Sequence, residues 1–162
     1  MKRDIDFTID NQRYSFRVGI FCCFKDNILL TCFDNDFSTW HLPGGRLKHG
    51  ESSIEGVKRE LFEELGIQLE HTPKLIVVAE DKFESREKDC HSTQFIYKIE
   101  MSEKDFEKYQ NFKILDGQTE MARWFKKDEL DNMTLYPPLA KKLFELPEKI
   151  NHFVRNEIVE YW

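Results

Sequence analysis

The stretch from Ser52 to Leu65 reads as one helix with two faces of opposite character. Ser52 or Ser53 supplies a capping hydroxyl, helix-forming residues continue to Leu65, and Gly66 ends the run. At about 100° per residue, Ile54, Val57, Leu61 and Leu65 fall within one narrow sector, so the rest of the chain must cover that stripe. Glu60, Glu63 and Glu64 occupy a different arc, with Glu60 four residues before Glu64. Like charges at this spacing repel by a few tenths of a kcal/mol per pair, and the helix dipole disfavours anions near a C-terminus. A solvated acidic face is one explanation of such a run. Oxygen ligands gathered on one helical face also suit magnesium or manganese, and a divalent cation would turn the repulsion into ligation.

Gly56 lies on the carboxylate arc one turn before Glu60. A mid-helix glycine costs about 1 kcal/mol against alanine, so it is expected to admit a close neighbour, for which the Gly44-Gly45 backbone is the candidate.

Strand-like runs surround this helix. Ile5, Phe7 and Ile9 alternate with polar residues, as do Tyr14, Phe16 and Val18, which predicts a hairpin across Asp10-Asn11-Gln12. A second hairpin joins Val18–Phe24 to Ile28–Phe33 through Lys25-Asp26-Asn27. Leu75–Ala79, Thr93–Ile99 and Met121–Phe125 are further strands. Ser102–Tyr109 and Pro138–Leu146 are expected to be short helices. In the tail, Ile150, Phe153, Val154, Ile158 and Tyr161 stand at roughly helical spacing, with a strand as the alternative at its end. This mixture predicts a single α/β or α+β domain over residues 1–162, with residues 1–16 as N-terminal hairpin strands and 147–162 as a C-terminal tail.

Net charge narrows the ligands. At −6 the chain offers no general attraction to duplex nucleic acid or anionic membrane, so an anionic ligand needs a local cation. Cys22, Cys23, Cys32 and Cys90 lack zinc-ligand spacing, and three of them sit in strand-like runs that suit free, buried thiols. Reduced cysteines, no signal-like start and no apolar run of spanning length lead to the expectation of a cytoplasmic protein.

From Gly45 onward the chain resembles the Nudix hydrolase family. The stretch follows the pattern Gly-x5-Glu-x7-Arg-Glu-U-x-Glu-Glu-x-Gly-U, U being aliphatic, at Gly45, Glu51, Arg59, Glu60, Leu61, Glu63, Glu64, Gly66 and Ile67 without departure. Trp40-His-Leu-Pro-Gly-Gly45 before it and Glu120-Met-Ala-Arg-Trp124-Phe125 after it extend the likeness over roughly Arg17 to Leu146. The resemblance implies the Nudix fold, a mixed β-sheet sandwiched between α-helices. It also implies hydrolysis of a diphosphate linkage in a nucleoside diphosphate joined to another group, with Mg2+ or Mn2+ as cofactor.

Carried over position by position, Glu60, Glu63, Glu64 and the Gly45 carbonyl would be metal ligands. Arg59 and Glu51 would hold the loop to the helix, with Arg59 orienting a glutamate. The base is either a glutamate of the motif or Glu120; Glu80 and Asp81 are weaker alternatives. Arg46, Lys48 and His49 are candidate phosphate contacts. Phe37, Trp40, Phe83 and Tyr136 are candidate stacking rings, each also a candidate for core or rim. A small nucleotide is the expected partner, and a homodimer is left open. The secondary marks of the ADP-ribose, dinucleoside polyphosphate and coenzyme A subgroups are missing at Lys82, Phe83 and Leu29-Leu30-Thr31-Cys32-Phe33. Two rivals share the fold: a nucleotide sensor without turnover, which has no need of all three glutamates, and a diphosphate isomerase, which would need a reactive cysteine where Cys22 and Cys23 stand.

Overall fold

The computed structural model describes residues 2–35, 37–112, 117, 119 and 121–160. The strands are β1 (Asp6–Ile9), β2 (Gln12–Phe24), β3 (Asn27–Cys32), β4 (Thr39–His41), β5 (Gly44–Arg46), β6 (Lys74–Ser85), β7 (Lys88–Glu100), β8 (Met121–Lys126), β9 (Thr134–Tyr136), β10 (Asn151–Val154) and β11 (Glu157–Ile158). Helix α1 is Ser53–Leu65 and α2 is Glu103–Lys108, with 3-10 helices at Lys127–Asn132 and Pro138–Glu145. The strands form one mixed sheet in the order β11-β10-β6-β7-β2-β3-β4-β9, with β1 and β5 also pairing β2, and β8 pairing β3. The pairs β2/β7, β6/β10 and β4/β9 are parallel.

Two cores lie on its two faces. Val57, Leu61 and Leu65 of α1 bury against Val18, Ile20, Leu29 and Leu47, each of the helical three at 2 % exposure or less. Burying such side chains contributes about 1.5–3 kcal/mol apiece. Ile54, expected in this stripe, is exposed; in the first turns it is Ser53, whose hydroxyl meets that of Tyr97 on β7 (2.6 Å), and buried Gly56 that face the sheet. The other face is covered by Leu130, Leu139, Ala140 and Leu143. These come from 3-10 turns at Lys127–Asn132 and Pro138–Glu145, so the short helix expected at Pro138–Leu146 is present in 3-10 form and the mixed sheet has helical segments on both faces, as the sequence implied.

The hairpins form where their turn residues put them. Lys25 (φ 51°) and Asp26 turn the chain between paired Phe24 and Asn27, while Arg86 and Glu87 do so between Ser85 and Lys88. β6 and β7 run well past the expected ends at Ala79 and before Thr93. Their polar outer halves continue the ladder, β7 alongside β2 from Gln12↔Asp89 to Cys23↔Glu100. The tail is a hairpin rather than a helix. Asn151 and Phe153 alternate inward at 2 % and 0 % exposure, and Asn151 Nδ2 donates to the carbonyls of Ile76, Pro147 and Lys149 (3.2, 3.2 and 2.8 Å). No helix among the described residues is long and apolar enough to cross a membrane. All four cysteines are free and buried, and burial pushes the Cys23 thiol up to about 11 and Cys22 higher still.

Candidate active site

Helix α1 begins at Ser52, whose hydroxyl accepts from Glu55 N (3.2 Å) while Glu55 Oε2 accepts from Ser52 N (2.7 Å). It ends at Gly66, in the left-handed conformation with φ 67°. These two caps fix which side chains face β5. That strand pairs with β2 at Arg17↔Arg46, Val18↔Gly45 and Gly19↔Gly44, so the glycine backbone is held against the sheet with no side chain between it and the helix.

The closeness is greatest at Gly45. A Cβ there would lie 2.5 Å from Glu60 Oε1 and 2.6 Å from its carboxyl carbon. Gly44, at φ 143°, donates its N–H to Glu64 Oε2 (3.1 Å). The neighbour that Gly56 admits is the Leu47 side chain, 2.5 Å from a Cβ built at Gly56, and not the Gly44-Gly45 backbone as the sequence suggested.

Arg59 ties the motif together. Its Nε donates to Glu51 Oε1 (2.7 Å) and Nη2 to Glu51 Oε2 (2.9 Å), and Nη2 also donates to the Arg46 carbonyl (2.9 Å). Nη1 donates to Glu60 Oε1 (2.6 Å) and Glu63 Oε2 (3.0 Å). Glu51 thereby falls below the usual carboxylate range, chiefly through the hydrogen bond from Arg59. Glu60 moves the other way: burial raises it despite the guanidinium, because desolvation outweighs the contact.

Gly44, Gly45, Arg46, Lys48, Arg59, Glu60, Glu63 and Glu64 line one cleft of about 420 Å³, together with Asp4, Arg17 and Phe33. The structure thus brings the motif residues together, but their carboxylates do not converge on one point. Glu60 and Glu63 meet at Arg59, while Glu64 turns to the Gly44 amide. Among the described residues no three His, Cys, Asp or Glu side chains stand close enough to grip one ion as they lie. The donor chemistry nevertheless fits a hard divalent cation. The groups are carboxylate and carbonyl oxygens, Glu60 is desolvated, and the bare Gly45 backbone abuts it where any larger residue would intrude.

The remaining candidates divide. Arg46 faces the cleft but pairs with Asp4 (3.6 Å) and Asp6, and Lys48 pairs with Glu63 (3.7 Å). His49 lines a separate hollow with Lys2, Ile5 and Phe7. Trp40 is core, its ring edge-on to Phe125 at 4.6 Å. Phe37 is exposed and stacks on Trp40 (6.4 Å), and neither lines the cleft. Tyr136 is exposed on β9, 5.8 Å from the His41 ring, which lies 4.9 Å from Phe33 at the cleft mouth. Phe83 is half-buried near the far end of β6. Glu80 accepts from His152 Nε2 (2.8 Å), and Asp81 is half-buried, with burial raising its pKa; neither reaches the cleft. Glu120 lies outside the described residues. Sequence reasoning passed over Arg17 and Phe33. The available signal for Arg17 was a cation placed where β2 changes from half-buried to fully buried, one residue before Val18.

Known proteins resemble this chain in sequence and in fold. A family model described as NUDIX domain matches residues 13–146. An RNA pyrophosphohydrolase of Zymomonas mobilis is 36% identical over 72 residues, 43% of this chain and 44% of that protein. One from Bartonella clarridgeiae is 49% identical over 45 residues, 28% of this chain and 24% of that protein. The match to this chain spans less than half the length of these curated relatives. Among solved structures, the NUDIX domain of Shewanella oneidensis NrtR complexed with ADP ribose aligns with TM-score 0.64 at 18% identity, covering 82% of this chain and 87% of that one. A MutT protein of Bacillus halodurans aligns with TM-score 0.62 at 21% identity, covering 90% and 95%. At such identities the likeness is one of fold.

Proposed function

This chain belongs to the NUDIX domain family, and from that premise we propose that it is a metal-dependent pyrophosphohydrolase, cleaving the diphosphate linkage of a nucleoside diphosphate joined to another group into a nucleoside monophosphate and a phosphorylated remainder. The observation that carries this reading is the placement of Glu60, Glu63 and Glu64 in one cleft with the bare Gly45 backbone against Glu60. Mg2+ or Mn2+ would be held by these three carboxylates and the Gly45 carbonyl, supplying positive charge to the phosphoryl oxygens and lowering the pKa of bound water.

The chain's own residues do the rest. Arg59 keeps the Glu60 and Glu63 carboxylates facing the cleft while its other nitrogens anchor on Glu51 and the Arg46 carbonyl. The Gly44 amide fixes Glu64. The proton of the attacking water passes to a carboxylate, either a glutamate of the motif or Glu120, whose candidacy rests on its place in the sequence. The three motif carboxylates on one side of the cleft would repel a diphosphate, which is why a bridging cation is needed at that side before the substrate can approach.

The intact carboxylate set argues against a sensor without turnover, and the burial-raised thiols of Cys22 and Cys23 argue against an isomerase that needs a reactive cysteine. The test is incubation with nucleoside triphosphates, nucleotide sugars, dinucleotides and 5′-triphosphorylated or capped RNA, with Mg2+ or Mn2+ and product identification by mass. A nucleoside monophosphate, or for RNA a 5′-monophosphorylated end, among the products supports the proposal, and intact substrates throughout would refute it.

A further inference from the structure

Four cations line the cleft: Arg17, Arg46, Lys48 and Arg59. Three are already engaged. Arg59 is bound by Glu51, Glu60 and Glu63, Arg46 pairs with Asp4 and Asp6, and Lys48 pairs with Glu63. Arg17 alone has no ion pair or side-chain hydrogen bond among the described residues.

Its position makes this costly. Arg17 is half-buried on β2, in the middle of the sheet, opposite Arg46 on β5 and Gln94 on β7. Burial and the field of Arg46 lower its pKa, but a guanidinium does not lose its proton near neutrality, so the charge stays, poorly hydrated and without a partner. A charge kept in this way is a binding group awaiting an anion. It lines the same cleft as Phe33, Glu60, Glu63 and Glu64, so its charge stands beside the motif carboxylates. Because it springs from a paired strand rather than a loop, its approach to the cleft is set by the sheet.

We propose that Arg17 binds a phosphate group of the substrate directly, through the two-pronged contact that a planar guanidinium makes with an oxyanion. This rests on the hydrolase reading of the cleft and adds an anchor that acts without the metal. The carboxylates repel a polyphosphate until a cation bridges them, whereas Arg17 attracts it beforehand, so part of substrate binding survives metal removal.

The test is calorimetric titration of the full chain with inorganic pyrophosphate in excess chelator, at low and high salt. Wild type is expected to bind at one site, more weakly as salt rises. Arg17→Gln should weaken binding about ten- to a hundredfold, as loss of a charge-assisted contact does. Arg17→Lys, which keeps the charge without the fork, should fall between them, and it also tests the inference if Arg17→Gln does not fold. Lys25→Gln, in the turn between β2 and β3 and outside the cleft, should bind like wild type. No binding by wild type, or affinities of the Arg17 variants within about twofold of wild type, would overturn the inference. Turnover with metal present separates the two readings. Wild-type hydrolysis together with an unchanged KM in Arg17→Gln would overturn the role of Arg17 and leave the hydrolase standing. Arg17-dependent pyrophosphate binding without hydrolysis of any substrate would overturn the hydrolase and leave the anion site.

Discussion

The α-carbon of Gly45 stands against the carboxylate of Glu60 so closely that a Cβ would come within 2.5 Å of Oε1. The carboxyl carbon and both oxygens of Glu60 crowd that point, so Gly45→Ala must displace the carboxylate that Arg59 holds or shift β5 away from it. It is expected to abolish most turnover and lower the melting temperature. Gly56→Ala meets the Cδ2 methyl of Leu47 at 2.5 Å, the far end of a side chain that can turn aside, and gains helix propensity of about 1 kcal/mol that offsets the contact. Its melting temperature and turnover should stay close to wild type. Thermal melts and turnover of the two variants side by side check this, and equal losses would show that neither contact is specific.

Glu51 and Glu60 share Arg59 but should have opposite effects on stability. The Glu51 carboxyl is held below its ordinary 4.5 by Arg59, so its contribution is fully present above about pH 4.5 and is lost as pH falls through the lowered folded-state value. Glu51→Gln should cost about 1–3 kcal/mol at neutral pH, with the gap to wild type closing below that range. Glu60 is raised by burial, so the fold binds its proton more tightly than the unfolded chain does, and its ionised form weakens the fold as pH rises above 4.5. Glu60→Gln should leave the metal-free protein as stable as wild type or more so at pH 7. Urea unfolding of both variants across pH decides the matter, and destabilisation of equal size and sign would contradict the assignment.

The motif made α1 and its caps legible because local chemistry determines them: Ser52, Gly66 and the Val57, Leu61, Leu65 stripe act within a few residues of one another. The grouping of Gly45 with Glu60 in one cleft was legible for the same reason, through the fixed spacing of the motif. What escaped depends on distant partners. The tail's apolar spacing fits a helix, and only β6 beside it makes it a strand. The lengths of β6 and β7 depend on β2 extending alongside them. Arg17 is one more cation in an alternating strand until β5 is laid next to it. That Glu64 would face the Gly44 amide rather than the other two carboxylates depends on a hydrogen bond across twenty residues of sequence.

Glu64→Gln keeps an acceptor for the Gly44 amide, so the fold should survive while turnover falls by about a hundredfold or more. Glu129 serves as the control: it accepts from Lys126 N (2.7 Å) outside the cleft, and Glu129→Gln keeps that bond too. Manganese titration followed by electron paramagnetic resonance should show weakened binding in the first variant alone. Equal losses would indicate a general charge effect.

For Glu120 the expectation follows from its place before Trp124. A general base contributes roughly 10²- to 10⁴-fold, so Glu120→Gln should lower kcat with KM nearly unchanged and leave the melting temperature near that of wild type. Wild-type turnover would return the base role to the motif.

The central claim is that the cleft hydrolyses a phosphoanhydride only with a divalent cation between its carboxylates and the substrate. The most direct measurement is the time course of nucleoside monophosphate release from an accepted substrate, with Mg2+ or Mn2+ and then with excess chelator added. The account predicts release that stops on chelation and resumes when the metal is restored. Release that continues undiminished in chelator would contradict it.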